Sequence, residues 1–365
     1  MSALPVELAG GAEPLLRAED VTKYFPVHSS GLLRSGSERV QAVDGVSLDV
    51  RPGETLGLVG ETGCGKSTLA RCLAGLYELT SGRIWFDGQL ISGLSNHRMR
   101  SVRRQIQVVF QDPYGSLNPR RRVGSIIGDP FAIHGVESGA DRKRAVQELM
   151  ERVGLNPEHY NRFPAEFSGG QRQRIGVARA LALRPKLIIC DEPVSALDVS
   201  IQAQIINLLL DLQRDLGLTY VFISHDLSVV RHVSDRIAVM YLGRIVEVAP
   251  TDELHERTRH PYTRALLSAV PEPDPDAEDS RVHVVLNGDI PSPVHPPTGC
   301  RFHPRCPKAH LDCASVEPVL TSALGDDEQH LTACRYPLEV GEDLSRATSQ
   351  IPPDGPPSDV DGGGA

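Results

Sequence analysis

The chain has 365 residues and a formal net charge of −9, with no long block of lysine or arginine. This composition argues against a protein whose main partner is nucleic acid. Its wholly apolar runs are only a few residues long, far short of the roughly 20 needed to span a bilayer, and residues 1–20 lack the apolar core of a secretion signal. We therefore expect a cytosolic protein that does not cross a membrane by itself, built from one large domain plus an appendage or from two domains.

Two strands are predicted first, Leu16 to Phe25 and Ala42 to Val50, with a Ser-, Gly- and Arg-rich loop from His28 to Arg39 between them. The first strand ends in the aromatic pair Tyr24-Phe25. An aromatic side chain at this point can stack on a purine ring held by the loop described next, or it can pack in the sheet. The spacing favours Phe25 as the residue that contacts the base.

A glycine-rich stretch follows the apolar run Glu54 to Val59 and precedes a predicted helix, Thr68 to Leu76. Glycines let backbone N–H groups approach phosphate oxygens closely, and the helix N-terminus adds partial positive charge. Lys66 would reach the β- and γ-phosphates, and Ser67 would supply a hydroxyl ligand for Mg²⁺. The predicted nucleotide-binding residues are Gly60, Glu61, Thr62, Gly63, Cys64, Gly65, Lys66, Ser67 and Thr68.

A further strand with a turn is predicted from Arg83 to Leu90, and a buried strand from Ile106 to Phe110. The buried strand stops at Gln111-Asp112-Pro113, because proline cannot continue it. Gln111, at the end of a buried strand beside a phosphate site, can reach a metal ion or an attacking water. A glutamine that merely caps the strand is the alternative.

Between Leu117 and Leu183 the pattern becomes helical. The segment Asp141 to Val153 places Ala145, Leu149 and Val153 at fourfold spacing with charged residues between them. We therefore predict an amphipathic helix that ends at Gly154.

Ser168 occupies an N-cap position before a predicted helix, Arg172 to Leu183, and it is followed by Gly169, Gly170 and Gln171. Exposed N–H groups at such a terminus form a second candidate anion site. A plain serine-capped helix is the alternative, but it would not require two glycines in its first turn, where glycine is a poor helix former.

Two carboxylates, Asp191 and Glu192, follow the apolar strand Leu187 to Cys190. A continuous apolar strand is typical of a parallel sheet buried on both faces, and ligands bind beyond the carboxyl ends of such strands. Asp191 is placed to hold Mg²⁺ through its water shell, and Glu192 to accept a proton from an attacking water. Residues Ser195 to Asp198 close the turn before a long helix, Val199 to Leu216.

His225 follows the next strand, Thr219 to Ile223. A lone histidine is more often a structural residue, but its place at this strand end predicts that it lies near a γ-phosphate. A final hairpin is predicted from Ile237 to Met240 and from Arg244 to Glu247. Strands separated by helices indicate an α/β fold with a largely parallel core sheet.

Taken together, these residues resemble the ATP-binding subunit of an ABC transporter. The resemblance covers roughly residues 17 to 250, and it implies a P-loop NTPase cassette with a RecA-like core, an antiparallel β subdomain and a helical signature subdomain. It also implies that Ser168, Gly169, Gly170 and Gln171 bind the ATP of a partner subunit. Gln111 would be a further Mg²⁺ ligand, and Phe167 replaces the leucine that commonly opens the signature. The matching segments are Gly60 to Ser67 (Walker A), Gln111 (Q-loop), Phe167 to Gln171 (signature), Leu187 to Asp191 (Walker B), Ser195 to Asp198 (D-loop) and His225 (switch histidine).

The resemblance extends to the second ATPase subunit of the dipeptide and oligopeptide importers. It implies a complex at the cytoplasmic face of the cell membrane with a second ATPase, two permeases and an external peptide-binding protein. Import of another solute, such as nickel or glutathione, is the alternative, since an ATPase subunit does not touch the cargo. A chromosome or repair ATPase would separate the motifs by coiled coils, and a ribosome-associated factor would carry two cassettes. The segments that carry this resemblance are Gln111 to Arg120, Cys190 to Ser200, His260 to Leu266, Pro291 to Pro293 and Gly299-Cys300.

Four of the seven cysteines, Cys300, Cys306, Cys313 and Cys334, lie in a weakly apolar tail segment. Small units of this kind often need a metal or a cross-link in place of a core. Spacing does not separate a [4Fe–4S] cluster from Cys₄ zinc, and unligated thiols are a third alternative. The importer resemblance favours the cluster. Nearby histidines keep mixed zinc ligation open: His303, His310 and His330.

The predicted domain plan has four parts. Residues 1–16 form a flexible leader, and residues 17–255 form the nucleotide-binding domain with a helical subdomain at about 117–183. Residues 256–340 form a C-terminal extension, which contains a Pro- and acid-rich hinge at 271–280. Residues 341–365 form a disordered tail.

Overall fold

The computed structural model describes residues 13–27, 38–112, 115–270, 284–286, 288–322, 329–344 and 347–351. Most of the leader (1–12), most of the predicted loop after the first strand (28–37), the predicted hinge and residues 352–365 of the tail lie outside this range. The strands are β1 (Leu16–Pro26), β2 (Arg39–Val50), β3 (Thr55–Val59), β4 (Ser81–Phe86), β5 (Gln89–Leu90), β6 (Ile106–Val109), β7 (Leu187–Asp191), β8 (Thr219–Ile223), β9 (Arg236–Tyr241), β10 (Arg244–Pro250), β11 (Thr321–Ser322) and β12 (Leu331–Thr332). The α-helices are α1 (Lys66–Leu73), α2 (Asn96–Gln105), α3 (Val123–His134), α4 (Gly139–Arg152), α5 (Gly169–Leu181), α6 (Val199–Leu216), α7 (Leu227–Val233), α8 (Thr251–Glu256) and α9 (Pro261–Ser268).

The larger sheet has the strand order β11-β12-β10-β9-β3-β8-β7-β6 among the described residues. Its five strands from β9 to β6 are parallel. β3, β7, β8 and β9 are buried along their whole length, because other elements cover both faces of this sheet. The carboxyl ends of β3, β6, β7 and β8 therefore meet at one edge, where the predicted site residues follow them.

A smaller antiparallel sheet, in the order β2-β1-β4-β5, packs its apolar face against the β3 side of the core and α1. β1 and β2 pair along nearly their whole length, from Leu16 opposite Val50 to Pro26 opposite Arg39. This sheet matches the predicted antiparallel β subdomain.

The helical subdomain lies between β6 and β7 and consists of α3, α4 and α5, with 3₁₀ turns at Pro157–Asn161 and Pro164–Glu166. In α4 the fully buried residues are Val146 and Met150, whereas Ala145 and Leu149 are only partly buried. Val153 is fully buried as predicted, but in the preceding turns the buried face is shifted by one residue, from Ala145 and Leu149 to Val146 and Met150. α5 begins at Gly169 rather than Arg172, since Ser168 caps it directly.

The C-terminal residues join the core sheet. β12 pairs with β10, so that Leu331 lies opposite Val248, and β11 extends the sheet by one more strand. Beside this pairing, His330 is fully buried with its Nε2 2.8 Å from an oxygen of Glu247.

Two predicted boundaries need correction. Leu15 and Leu16, assigned to a flexible leader, are 6% and 0% exposed, because β1 begins there and pairs on both sides. Leu344 and Ile351, assigned to a disordered tail, are also buried, and the N–H of Gln350 donates to the Ala309 carbonyl. Within the described ranges, no helix combines the length and the apolar character that a membrane crossing requires.

Candidate active site

The loop between β3 and α1 has the geometry of a phosphate cradle. Gly60 and Gly65 adopt φ values of 151° and 113°, a region that side chains disfavour. A Cβ on Gly60 would lie 2.1 Å from the Met240 carbonyl oxygen, and one on Gly65 would lie 2.1 Å from the Ala42 carbonyl oxygen. Both the backbone conformation and the close packing at these two positions therefore require glycine.

Lys66, the first residue of α1, is 4% exposed. Its Nζ donates hydrogen bonds to the carbonyl oxygens of Gly60, at 2.7 Å, and Glu61, at 3.0 Å. The ammonium group is thus held within the concave side of the loop, where the sequence predicts the β- and γ-phosphates.

Ser67 and Asp191 come together from different elements, α1 and the end of β7. The Ser67 hydroxyl donates to an Asp191 carboxylate oxygen at 2.7 Å. Burial raises the pKa of Asp191, and the Ser67 hydrogen bond opposes this shift. A hydroxyl beside a buried carboxylate is a suitable donor set for Mg²⁺, which prefers oxygen ligands and retains several waters.

Glu192, Gln111 and His225 also converge, each just beyond the end of a different parallel strand. Gln111 Nε2 donates to a Glu192 carboxylate oxygen at 2.8 Å, and His225 Nδ1 lies 3.5 Å from the same oxygen. Glu192 adopts a left-handed conformation (φ 49°), while its N–H donates to the Ile223 carbonyl at the end of β8. This backbone contact fixes the carboxylate against the neighbouring strand end.

Lys66, Ser67, Gln111, Glu192 and His225 all line one cleft of about 700 Å³. Phe25 lies on its wall, with its ring edge-on to Tyr77 at a centroid distance of 5.6 Å. Several lining residues were not predicted, because only the folded chain brings them to the phosphate loop: Val40, Gln41, Ala42, Leu242, Gly243 and Pro293.

The residues of the predicted signature do not line this cleft. Ser168 caps α5 through a reciprocal pair: its hydroxyl accepts from the Gln171 N–H, and its own N–H donates to the Gln171 side chain at 3.0 Å. A Cβ on Gly170 would lie 2.4 Å from Ile201 Cγ2, so this glycine also permits close packing of α5 on α6. Asp198, in the predicted D-loop, is exposed at the start of α6.

The four tail cysteines, Cys300, Cys306, Cys313 and Cys334, face one small cavity of about 20 Å³. Burial raises the pKa of Cys300 to about 11 and that of Cys334 to about 12, and it also raises the pKa values of Cys306 and Cys313. Nearby thiols contribute to all of these shifts except that of Cys313. Within the described part of the chain, no three His, Cys, Asp or Glu side chains converge as ligands of a single metal ion.

The three histidines considered as zinc ligands have other contacts. His303 lines the cavity, but its Nδ1 lies 2.8 Å from the Cys300 carbonyl oxygen. His310 stacks on Tyr336, and His330 contacts Glu247. Mixed ligation of one zinc ion by these histidines therefore has no support in the arrangement of the described residues.

The site geometry agrees with the similarity of the chain to known proteins. Residues 43–195 match the family described as ABC transporter, and residues 246–313 match the family described as Oligopeptide/dipeptide transporter, C-terminal region. The oligopeptide transport ATP-binding protein AppF of Bacillus subtilis (strain 168) is 54% identical over 327 residues, which cover 89% of this chain and 98% of AppF. The chain belongs to the ATP-binding subunits of oligopeptide and dipeptide ABC transporters.

Two further members of this family show similar identity. The di/tripeptide transport ATP-binding protein DppF of Pseudomonas aeruginosa (strain UCBPP-PA14) is 50% identical, with 89% of this chain and 98% of DppF covered. The oligopeptide transport ATP-binding protein OppF of Escherichia coli (strain K12) is 50% identical, with 89% and 96% covered. Among solved structures, the dimeric structure of MJ0796, a bacterial ABC transporter cassette, superposes with a TM-score of 0.58 at 29% identity and covers 65% of this chain and 98% of that one. The predicted ABC ATPase cassette fold is thereby confirmed.

Proposed function

We propose that this protein is the ATP-hydrolysing subunit that powers import of dipeptides or oligopeptides. One observation carries the proposal: a phosphate loop and the Glu192 carboxylate with two polar partners line a single cleft, and a second carboxylate, Asp191, is hydrogen-bonded to Ser67 at its edge. The peptide substrate rests on the family membership, because the relatives are named for oligopeptide and di/tripeptide transport.

In this proposal the loop N–H groups and Lys66 bind the triphosphate of ATP, and Phe25 contacts the base. Ser67, Asp191 and Gln111 would hold Mg²⁺, which supplies charge neutralisation at the phosphates when bound. Glu192 orients a water and accepts its proton, since its carboxylate is fixed at the end of β7 beside Gln111 and His225. His225 is half-exposed and contributes a hydrogen bond near the γ-phosphate.

The second anion site belongs to a different active site in this proposal. Ser168, Gly169, Gly170 and Gln171 would bind the ATP held by a partner ATPase, and the exposed Asp198 would lie at the same interface. The location of this turn outside the cleft of its own chain supports the assignment. We propose a heterodimer with a second ATPase subunit, mounted on two membrane permeases at the cytoplasmic face and served by an external peptide-binding protein.

We further propose that the chain divides into a cassette (about residues 17–255) and a Cys-rich C-terminal extension (about 256–340). Cys300, Cys306, Cys313 and Cys334 would hold a [4Fe–4S] cluster, which needs four thiolates. The arrangement of all four thiols around one cavity supports this proposal. That cavity has room for about one water, so the thiols would have to move apart around a cluster. No three His, Cys, Asp or Glu side chains of the described residues converge on a single ion, and this disfavours the zinc alternative. In a Cys₄ zinc site all four sulfurs would lie about 2.3 Å from one metal ion.

Optical and iron analysis of anaerobically purified full-length protein tests the cluster. We expect a brown protein with about four irons per chain and loss of colour in Cys306→Ser. Cys72→Ser is the matched control, since Cys72 is buried in α1 away from the tail. Colourless protein with one zinc per chain, or with no metal, would contradict the cluster.

The substitution Glu192→Gln tests the proposed catalysis. We expect ATP binding to persist while hydrolysis falls by roughly 10²- to 10⁴-fold, the usual contribution of a general base. Purified transporter in liposomes with its binding protein provides both ATPase and peptide-uptake readouts. Glu151→Gln, an exposed position on α4, is the control. Unchanged turnover in Glu192→Gln would refute the role of Glu192, and ATPase activity that no peptide stimulates would refute the transport assignment.

A further inference from the structure

Two residues outside the cassette motifs hold the phosphate loop at one position, Glu61. Arg305, in a 3₁₀ turn of the C-terminal segment, forms a two-pronged ion pair with the Glu61 carboxylate, with N–O distances of 2.8 and 3.1 Å. Its side chain is 8% exposed and that of Glu61 is 23% exposed. A bidentate, largely buried pair of this type is among the stronger and more directional polar contacts in proteins.

The second contact comes from α9. The hydroxyl oxygen of Tyr262 accepts a hydrogen bond from the backbone N–H of Glu61 at 2.9 Å. Tyr262 is fully buried and packs against Tyr241 and Phe302, with ring centroids 4.7 and 5.3 Å away. Both the side chain and the backbone of Glu61 are therefore held by residues about 200 or more positions later in the chain.

The position of Glu61 matters for the phosphates in two ways. Its carbonyl oxygen accepts one of the two hydrogen bonds that hold Lys66 Nζ. Its carboxylate is a negative charge inside a loop that must accept a polyanion, and an unpaired charge there would repel the nucleotide. Arg305 neutralises this charge and also fixes the orientation of the Glu61 carboxylate.

We propose that Arg305 and Tyr262 are positioning residues of the nucleotide site, through which the C-terminal segment sets the affinity for ATP. This inference rests on the proposed function, because it takes ATP as the occupant of the cleft. The same segment also contacts two residues that line the cleft: Arg301 Nη1 donates to the Leu242 carbonyl at 2.6 Å, and Nη2 donates to the Gln41 side chain at 2.8 Å. The short stretch 300–306, which contains the first two tail cysteines, thus contacts both the phosphate loop and the lining of the cleft.

Equilibrium binding of Mg-ATP to the full-length chain tests the inference. We expect Arg305→Gln to raise the Kd about tenfold, the order expected for one uncompensated charge near a bound triphosphate. This difference should shrink at high salt, because screening weakens the repulsion. Arg305→Lys, which retains the charge, should recover much of the loss.

A compensating change separates electrostatic positioning from general damage to the fold. Glu61→Gln in the Arg305→Gln background should return the Kd to within about twofold of wild type, because the repelling charge is gone. Glu61→Gln alone should bind ATP at least as tightly as wild type, and it serves as the readout if Arg305→Gln does not fold. Arg335→Gln is the control: Arg335 lies in the same segment, but it pairs with Asp312 at 2.9 Å rather than with a residue of the phosphate loop.

The outcomes are distinct. Wild-type protein that does not bind ATP would overturn the proposed function itself. If wild type binds ATP, three results would each overturn this inference and leave the proposed function intact. One is a Kd for ATP in Arg305→Gln equal to that of wild type, and another is a double variant that binds ATP no more tightly than Arg305→Gln. The third is a Kd raised about tenfold in Glu61→Gln.

Discussion

His260, the N-cap of α9, should make the stability of this protein sensitive to mild acid. It is 1% exposed, and its Nδ1 accepts a hydrogen bond from the Tyr262 N–H at 3.1 Å. The ring is therefore neutral, with its proton on Nε2. Burial lowers the pKa of His260 from 6.5 to about 4, although the nearby Glu247 carboxylate opposes this shift.

The sign and size of the effect follow from proton linkage. Between pH 4 and 6.5 the unfolded chain binds a proton at this histidine and the folded chain does not. The free energy of unfolding therefore rises with pH by about 1.4 kcal/mol per unit in this window. The contribution is almost fully present at pH 7.5, and about 2 kcal/mol of it is lost when the pH falls from 7.5 to 5.

His260→Asn isolates this contribution, because asparagine retains an N-cap acceptor but does not titrate. Urea unfolding of the full-length chain, followed by circular dichroism, should show that wild type loses about 2 kcal/mol more than the variant between pH 7.5 and pH 5. Carboxylates with shifted pKa values, such as Glu54 and Asp191, act in both proteins and cancel in the difference. His97→Asn, at an exposed position in α2, should match wild type. Parallel pH profiles for wild type and His260→Asn would refute the reasoning.

Glycine-to-alanine substitutions test the packing at the two predicted anion sites. In urea unfolding, Gly170→Ala should lower the free energy of unfolding by about 1–3 kcal/mol, because its methyl group would lie 2.4 Å from Ile201 Cγ2. Gly176→Ala is the control: it has open space in the same helix and should raise the free energy of unfolding by up to about 1 kcal/mol. Gly60→Ala should weaken Mg-ATP binding by at least about tenfold, since the added Cβ would meet the Met240 carbonyl at 2.1 Å; an unchanged Kd would show that the loop tolerates a different backbone path.

The elements that the sequence predicts best are those with an unbroken apolar pattern. The predicted bounds of α6 and β8 coincide with those in the structure. The amphipathic pattern of α6 and the apolar run of β8 are each bounded by turn residues, so their ends are visible in the sequence. α2 was not predicted, since eight of its ten residues are polar and only Met99 and Val102 are buried. A helix with two buried side chains leaves almost no periodic signal.

Within the candidate site, strand ends were predictable and long-range contacts were not. Gln111, Asp191, Glu192 and His225 each follow an apolar strand, and parallel strands bring such residues to one edge. Arg305 lies 244 positions from Glu61, and no local pattern connects an arginine in a Cys-rich tail with a glycine-rich loop. Such pairings are decided by tertiary packing, here by the aromatic cluster around Tyr262 and Phe302.

The charge balance of the cleft bears on the proposal that two chains share one ATP site. Among the described residues that line it, Lys66 is the only side chain with a fixed positive charge, and Glu192 contributes a carboxylate. A triphosphate therefore needs Mg²⁺, the loop N–H groups and further donors. In the proposed dimer, the N–H groups of Gly169 and Gly170 from a partner would supply such donors, because the Ser168 turn lies outside the cleft of its own chain. Val199, beside the exposed Asp198, is an apolar side chain that is 81% exposed. The proposed interface would also bury Val199, so one arrangement would account for both features.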